Sequence, residues 1–167
     1  MGLCLTGCGF SPVYWQDGTE FLEKTAQVEI TPVPEYSGRI LTQALKDKLN
    51  PENIDVPKNY TLTVKLDEDI NKDQGILGDK TSTRATFHMT AVYQLKSGPT
   101  ELLSSTATAI SSYNILPEPY STVTAEQAVR ERLLNILAND ISVQITAFFK
   151  KQEADAQKNT VEKGNAP

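Results

Sequence analysis

Cysteine is almost absent from this sequence of 167 residues, and both copies, Cys4 and Cys8, lie within the first eight positions. Because the rest of the chain has none, the sequence excludes a disulfide framework and a cysteine-based metal site. There is a single histidine, His88, which excludes a Cys–His catalytic pair and a histidine-rich zinc site. The sequence also lacks a run of about twenty apolar residues, the length that a membrane-spanning helix needs.

Basic residues are fewer than acidic ones. Lysine and arginine together number 16 against 21 acidic residues, so the net charge is −5. Nucleic-acid binding needs a basic footprint, so we expect no nucleic-acid partner. The hydrophobic content of 39% and the charged content of 22% are close to those of an average globular chain. These values exclude a disordered, fibrous or polytopic membrane protein and indicate one domain.

The first residues fit the bacterial lipobox, in which an apolar residue and two small residues precede a cysteine that is acylated. This segment runs from Leu5 to Cys8, and the alternative is a short apolar start with incidental cysteines. A secretory signal needs a basic region and about 7–15 apolar residues, whereas only seven uncharged residues precede Cys8. We therefore expect residues 1–7 to be a signal-peptide remnant and Cys8 to carry the lipid anchor. Two or more acyl chains would hold it firmly at a membrane surface.

Hydrophobic periodicity predicts the elements of the folded part. Apolar residues alternate with polar ones in strands and recur every three or four residues in helices. The order is β-α-β-β-β-α, which predicts an α+β fold, a mixed four-stranded sheet with two helices packed on one face. The predicted strands and helices fall at Val28–Ile30, Ile40–Leu49, Tyr60–Leu66, Ala85–Leu95, Leu102–Tyr113 and Thr124–Phe148.

The chain divides into four predicted segments. After the remnant at 1–7, we expect a lipidated tether at 8–24 and a single α/β domain at 25–149. Residues 150–167 are polar without apolar periodicity, which is typical of a disordered tail. In the third strand, His88 lies on the polar side, and in the last strand Ser and Thr dominate. The sheet face opposite the helices is therefore expected to meet water or a partner.

The segment 67–80 is predicted to be a polar loop. Asp67, Asp69, Asn71 and Asp73 resemble the first half of a calcium-binding loop. Such a loop needs Gly at its sixth position and Glu at its twelfth, and here those positions hold Lys72 and Gly78. A solvated loop is the better interpretation, and we predict no metal site.

Few residues suggest chemistry. The sequence contains neither a G-x-S-x-G nucleophile elbow nor a G-x-x-x-x-G-K phosphate loop, and its carboxylates are scattered. We predict that the protein is not an enzyme and needs no cofactor. Lys65, Lys80 and Arg84 could hold a phosphate by charge-assisted hydrogen bonds. The alternative is a solvated strand face whose charges discourage edge aggregation.

Several segments resemble the lipopolysaccharide-assembly lipoprotein LptE, particularly its alphaproteobacterial branch. The start Cys8–Tyr14 is similar to the C-G-F-x-P-L-Y start of that family, with Val13 in place of the usual leucine. The resemblance extends over Cys8–Phe149, and the short signal segment and the polar tail depart from it. Its further matches are Tyr60–Val64, Gly75–Arg84, Ser112–Asn114, Ala125–Arg130 and Gln144–Phe149.

The resemblance implies a location and a partner. LptE-like proteins are anchored in the inner leaflet of the outer membrane, facing the periplasm, and plug the β-barrel of LptD. The pair inserts lipopolysaccharide into the outer leaflet. On this basis LptD and lipopolysaccharide are the expected partners, with Lys65, Lys80 and Arg84 as candidate lipopolysaccharide contacts. The alternatives are an auxiliary lipoprotein of an ABC-type lipid transport system and a lipid-anchored enzyme.

Overall fold

The computed structural model describes residues 18–73, 84–115 and 119–164. Three helices and four strands lie within these ranges. No helix among them is both long enough and apolar enough to cross a bilayer. In chain order the elements are α1 (Gly18–Ala26), β1 (Val28–Ile30), α2 (Glu35–Leu49), β2 (Tyr60–Asp73), β3 (Arg84–Ser97), β4 (Thr100–Asn114) and α3 (Pro119–Gly164).

The four strands form one mixed sheet in the order β1-β2-β3-β4. The short β1 runs parallel to β2, and α2 connects them. The pairs β2–β3 and β3–β4 are antiparallel. Gly98 closes the β3–β4 hairpin with a φ of 55°, a left-handed conformation that glycine adopts without steric cost. The predicted mixed four-stranded sheet with helices packed against it is therefore confirmed, and α1 is an additional element.

The core lies between the sheet and the pair α2 and α3. Strand alternation sends every second side chain of β3 to this side, so Phe87, Met89 and Tyr93 are fully buried. Leucines on α2 and apolar residues on α3 recur at helical spacing and complete the same cluster. Their buried members are Leu41, Leu45, Leu49, Val129, Leu133, Leu134, Leu137, Ala138, Ile141, Ile145 and Phe149.

The first turn of α2 approaches the segment after β1 very closely. A Cβ on Gly38 would lie 2.7 Å from both Cγ1 and the carbonyl oxygen of Val33. One turn later, the Thr42 hydroxyl donates to the Gly38 carbonyl (2.8 Å) and accepts from the Val33 backbone N–H (3.3 Å). A residue without a side chain is thus required where the chain turns from β1 into α2.

The acidic segment after Leu66 is a strand rather than the predicted loop. β2 continues to Asp73, and each of its residues from Thr61 onwards has a partner on β3, ending with Asp73 opposite Arg84. Asp67, Asp69 and Asn71 are exposed, so the strand extends without burying a carboxylate. Pairing with β3 therefore makes this segment a strand, although its own composition predicts a loop.

The helices also extend beyond their predicted limits. α3 begins at Pro119, a residue suited to the first helical turn, and not at the predicted Thr124. It continues to Gly164, where the sequence predicted a tail without regular structure from residue 150. Lys24 of α1 pairs with Glu153 of α3, so a contact between residues far apart in sequence joins α1 to the part of α3 that lies beyond its predicted end.

Candidate interaction surface

Within the described residues, all three helices lie on one side of the sheet, and we call the other side the open face. It is formed by the side chains of β2, β3 and β4 that point away from α2 and α3. Along each strand these residues alternate with the core residues. The open face comprises Thr61, Thr63, Lys65, Asp67, Asp69, Asn71, Arg84, Thr86, His88, Thr90, Val92, Gln94, Lys96, Ser104, Thr106, Thr108, Ile110, Ser112 and Asn114.

Hydroxyl, amide and charged side chains of both signs dominate the open face. The hydroxyls of Thr86 and Ser112 lie 3.2 Å apart across β3 and β4. The amide of Asn71 donates to the Asp69 carboxylate at 2.8 Å. Val92 and Ile110 are its exposed apolar members, at 44% and 58% exposure, and they lie on different strands. The face is therefore hydrated and suited to polar contacts.

The structure separates the predicted basic cluster. Lys65 is opposite Val92, whereas Arg84 is opposite Asp73. Both lie on the open face, but eight strand residues separate Val92 from Arg84, about 27 Å. They cannot hold one phosphate together, so the hypothesis of a joint anion site is wrong for this pair. Lys80 and the predicted lipidation site Cys8 lie outside the described residues, and the contact predictions for the individual residues stay predictions.

The described residues offer little catalytic machinery. His88 has Asp69 and Ile110 as cross-strand neighbours and is half-buried on the open face. Among the described positions, no group of three His, Cys, Asp or Glu side chains is placed to hold a metal ion. A cleft of about 430 Å³ lies beside the part of β2 that follows its pairing with β1. The side chains that line it are a mixture of apolar and charged groups.

A charged cluster that the sequence did not reveal joins α3 to the sheet. The Arg130 guanidinium donates to the Glu126 carboxylate (2.7 Å), lies 3.5 Å from the Glu68 carboxylate and stands over the Phe87 ring at 5.1 Å from its centroid. The Tyr113 hydroxyl donates to the other oxygen of Glu126 at 3.2 Å. The i,i+4 spacing of Glu126 and Arg130 is visible in the sequence, but their partners on three strands are not.

Burial raises the pKa of two tyrosine hydroxyls on the covered face, the side of the sheet that packs against α2 and α3. For Tyr113, burial is the largest cause of the raised pKa, and the negative charge of Glu126 adds to it. Burial also raises the pKa of Tyr93, an effect that the hydrogen bond with Ser105 partly offsets and the charge of Asp140 reinforces. Tyr93 donates to Gln144 of α3 at 2.5 Å. Both hydroxyls therefore serve as neutral donors that position α3 along the sheet.

Three solved structures share this fold. A candidate lipoprotein from Caulobacter crescentus CB15 superposes with a TM-score of 0.62 at 18% identity, covering 80% of this chain and 97% of the other. A minor lipoprotein from Acinetobacter baumannii gives 0.57 at 21% identity, covering 72% and 88%. Rare lipoprotein B from Shewanella oneidensis gives 0.58 at 11% identity, covering 78% and 96%.

The sequence itself matches no protein-family profile and no curated protein. At identities of 11–21% the structural similarity shows a common fold. The match extends over nearly the whole of each solved chain, so it concerns the complete sheet-and-helix arrangement and not one motif.

Proposed function

We propose that this protein is an outer-membrane lipoprotein of the LptE type. In this proposal Cys8 carries the lipid anchor at the periplasmic face of the membrane. The folded domain plugs the LptD β-barrel and supports assembly of lipopolysaccharide into the outer leaflet. The three solved proteins with this fold are described as lipoproteins, and rare lipoprotein B is a name used for LptE-type proteins.

The observation that carries the proposal is the composition of the open face. The lumen of a wide membrane barrel is polar and hydrated, so a plug must present hydroxyls, amides and balanced charge. The open face does so along three strands of 14, 14 and 15 residues. Its sheet supplies a rigid surface, because the opposite face is packed against α2 and α3.

Co-expression with the LptD of the same organism tests the partner. We expect a stable complex of one copy of each protein after detergent extraction and size exclusion. A photo-crosslinking residue at Thr90, on the open face, should give an adduct with LptD. Absence of any complex would contradict the proposal. Recovery with an inner-membrane transporter instead would favour an auxiliary lipoprotein of an ABC-type system.

Charge reversal tests the lipopolysaccharide contacts separately. Lys65→Glu and Arg84→Glu should each weaken binding of purified lipopolysaccharide. Since the two sites are about 27 Å apart, their effects should add. Lys46→Glu, on the exposed side of α2, gives the same charge change away from the open face and should leave binding unchanged. Unaltered binding in the Lys65 and Arg84 variants would remove both residues from the proposal.

A further inference from the structure

The cleft of about 430 Å³ beside β2 lies at the start of α2, and we call it the α2 cleft. Its volume falls within the range of ligand pockets, roughly 300–1,000 Å³. Val33 and Val64 are its buried apolar members. The hydroxyl of Thr42 joins the carbonyl of Gly38 to the N–H of Val33, so the wall that α2 provides is fixed in the folded protein.

The start of α2 offers hydrogen-bond donors to this cleft. The first backbone N–H groups of a helix have no carbonyl partner within it, and a side chain at the N-cap position commonly accepts from them. In α2 this position holds Pro34, which forms no such bond and lines the cleft. The N–H groups of the first turn and the helix dipole therefore favour an acidic group there.

Ser37, in the same turn, independently indicates a ligand. It is only 7% exposed and lines the cleft, and its hydroxyl has no hydrogen-bond partner among the described residues. Every fully buried side-chain N or O atom in the described part of the chain has a partner, so the Ser37 hydroxyl keeps some access, which the α2 cleft provides. A nearly buried hydroxyl without a partner costs free energy, and a ligand in the cleft would recover it.

The charges around the cleft define the kind of ligand. Glu35, Asp67 and Glu68 line it together with one ammonium group, that of Lys65. Glu68 lies 3.5 Å from Arg130, whereas Glu35 and Asp67 form no ion pair with another described residue. These carboxylates repel a ligand that has only negative charge and attract one that also has an ammonium group.

We infer that the α2 cleft binds a small zwitterion, in which a short chain joins an acidic group to an ammonium group. The acidic group accepts hydrogen bonds from the first-turn N–H groups and from the Ser37 hydroxyl. The ammonium group donates to Glu35 and Asp67. A phosphoethanolamine lipid headgroup and a free amino acid such as β-alanine share this chemistry. The inference does not rest on the proposed function, because every group of the site belongs to this chain.

NMR titration of the full 167-residue chain, labelled with ¹⁵N and without LptD, tests the site. The two zwitterionic probes are glycerophosphoethanolamine, which is the lipid headgroup without acyl chains, and β-alanine, each up to about 50 mM, where weak ligands bind. We expect at least one to shift the amide signals of Tyr36 and Ser37 and to saturate, and the tighter one identifies the source. Inorganic phosphate and ethanolamine each carry one of the two charges and should bind about tenfold more weakly.

Ser37→Ala should weaken binding of the tighter zwitterion about tenfold, because a hydrogen bond to a charged acceptor is lost. The variant should stay folded, since this hydroxyl has no partner in the described part of the protein. Ser142→Ala is the matched control. Ser142 is a helix serine that is 8% exposed, but its hydroxyl donates to the Asn139 carbonyl at 2.8 Å, away from the cleft. Its replacement should leave binding unchanged.

Glu35→Gln tests the ammonium contact. It should reduce the preference for the zwitterion over inorganic phosphate, whereas Glu52→Gln, at an exposed position outside the cleft, should not. The absence of amide shifts with both zwitterions would overturn the inference. So would inorganic phosphate that binds as tightly as they do, a folded Ser37→Ala variant that binds like the parent, or an unchanged preference in Glu35→Gln. None of these outcomes bears on whether the chain binds LptD.

Discussion

The two faces of the sheet are built by the same strands and differ in almost every physical property. Phe87 and Met89 are fully buried, whereas Thr86 and His88, their sequence neighbours on β3, lie on the open face. On the covered face, apolar area removed from water stabilises the fold. On the open face, side chains remain partly hydrated, and their replacement changes the free energy of unfolding little.

This difference separates what holds the protein together from what it presents to a partner. Because strand alternation assigns each residue to one face, the composition of the open face can match a partner without a loss of core packing. The three solved structures show that this fold is kept at identities of 11–21%. Substitutions in neighbouring residues of one strand test this separation directly.

The sharpest test compares Phe87→Ala with Thr90→Ala on the same strand. Phe87 is fully buried and its ring lies beneath Arg130, so its truncation leaves a cavity and should lower the free energy of unfolding by about 3–5 kcal/mol. Thr90→Ala removes atoms from the open face and should change it by about 0.5 kcal/mol or less. Urea unfolding followed by circular dichroism measures both. Similar losses for the two variants would show that the open face is covered in the isolated protein.

A second test extends the comparison to the helix layer. Gly38→Ala places a Cβ within 2.7 Å of the Val33 side chain and backbone. Because backbone cannot rotate away, we expect a loss of about 1–3 kcal/mol. Gln43→Ala, an exposed position on the same helix, should be neutral within about 0.5 kcal/mol. Thermal unfolding measures both, and an unchanged midpoint for Gly38→Ala would mean that α2 can shift away from Val33.

The covered face was predictable from the sequence because side chains alternate along a strand. The apolar residues Ala85, Phe87 and Met89 therefore all point to one side of β3. The extent of β2 was not predictable, because Asp67 and Asp69 disfavour a strand by composition and are held by pairing with Thr90 and His88. The sequence around Asp67 and Asp69 does not show which residues of β3 will pair with them.

The charged cluster on α3 escaped prediction for a similar reason. The sequence shows Glu126 and Arg130 one helical turn apart, a spacing common on solvated helices. Their contacts with Glu68 and Tyr113 depend on the angle at which α3 crosses the sheet. Likewise, the distance between Lys65 and Arg84 on the open face depends on the register of β2 and β3, which the sequence does not show.

The charged cluster gives a third, smaller test on the covered face. Arg130→Met keeps an unbranched apolar stem and removes the guanidinium charge that two carboxylates share. We expect a loss of about 1–2 kcal/mol, since the hydrogen bonds involve charged groups and the cluster is only partly buried. Arg132→Met, exposed on the same helix, is the control and should be neutral. Equal stability of the two variants at low salt would show that the cluster contributes nothing.

The smallest expected effect concerns alkaline pH. Burial, followed by the charge of Glu126, raises the pKa of Tyr113 above its ordinary value of 10.0. The unfolded chain therefore releases this proton first, so the contribution to stability is complete below pH 10 and declines as the pH rises through the folded-state pKa. Tyr113→Phe should flatten the fall of unfolding free energy above pH 10, and Glu126→Gln should flatten it less, because burial remains. A slope unchanged by Tyr113→Phe would mean that this hydroxyl is hydrated like those on the open face.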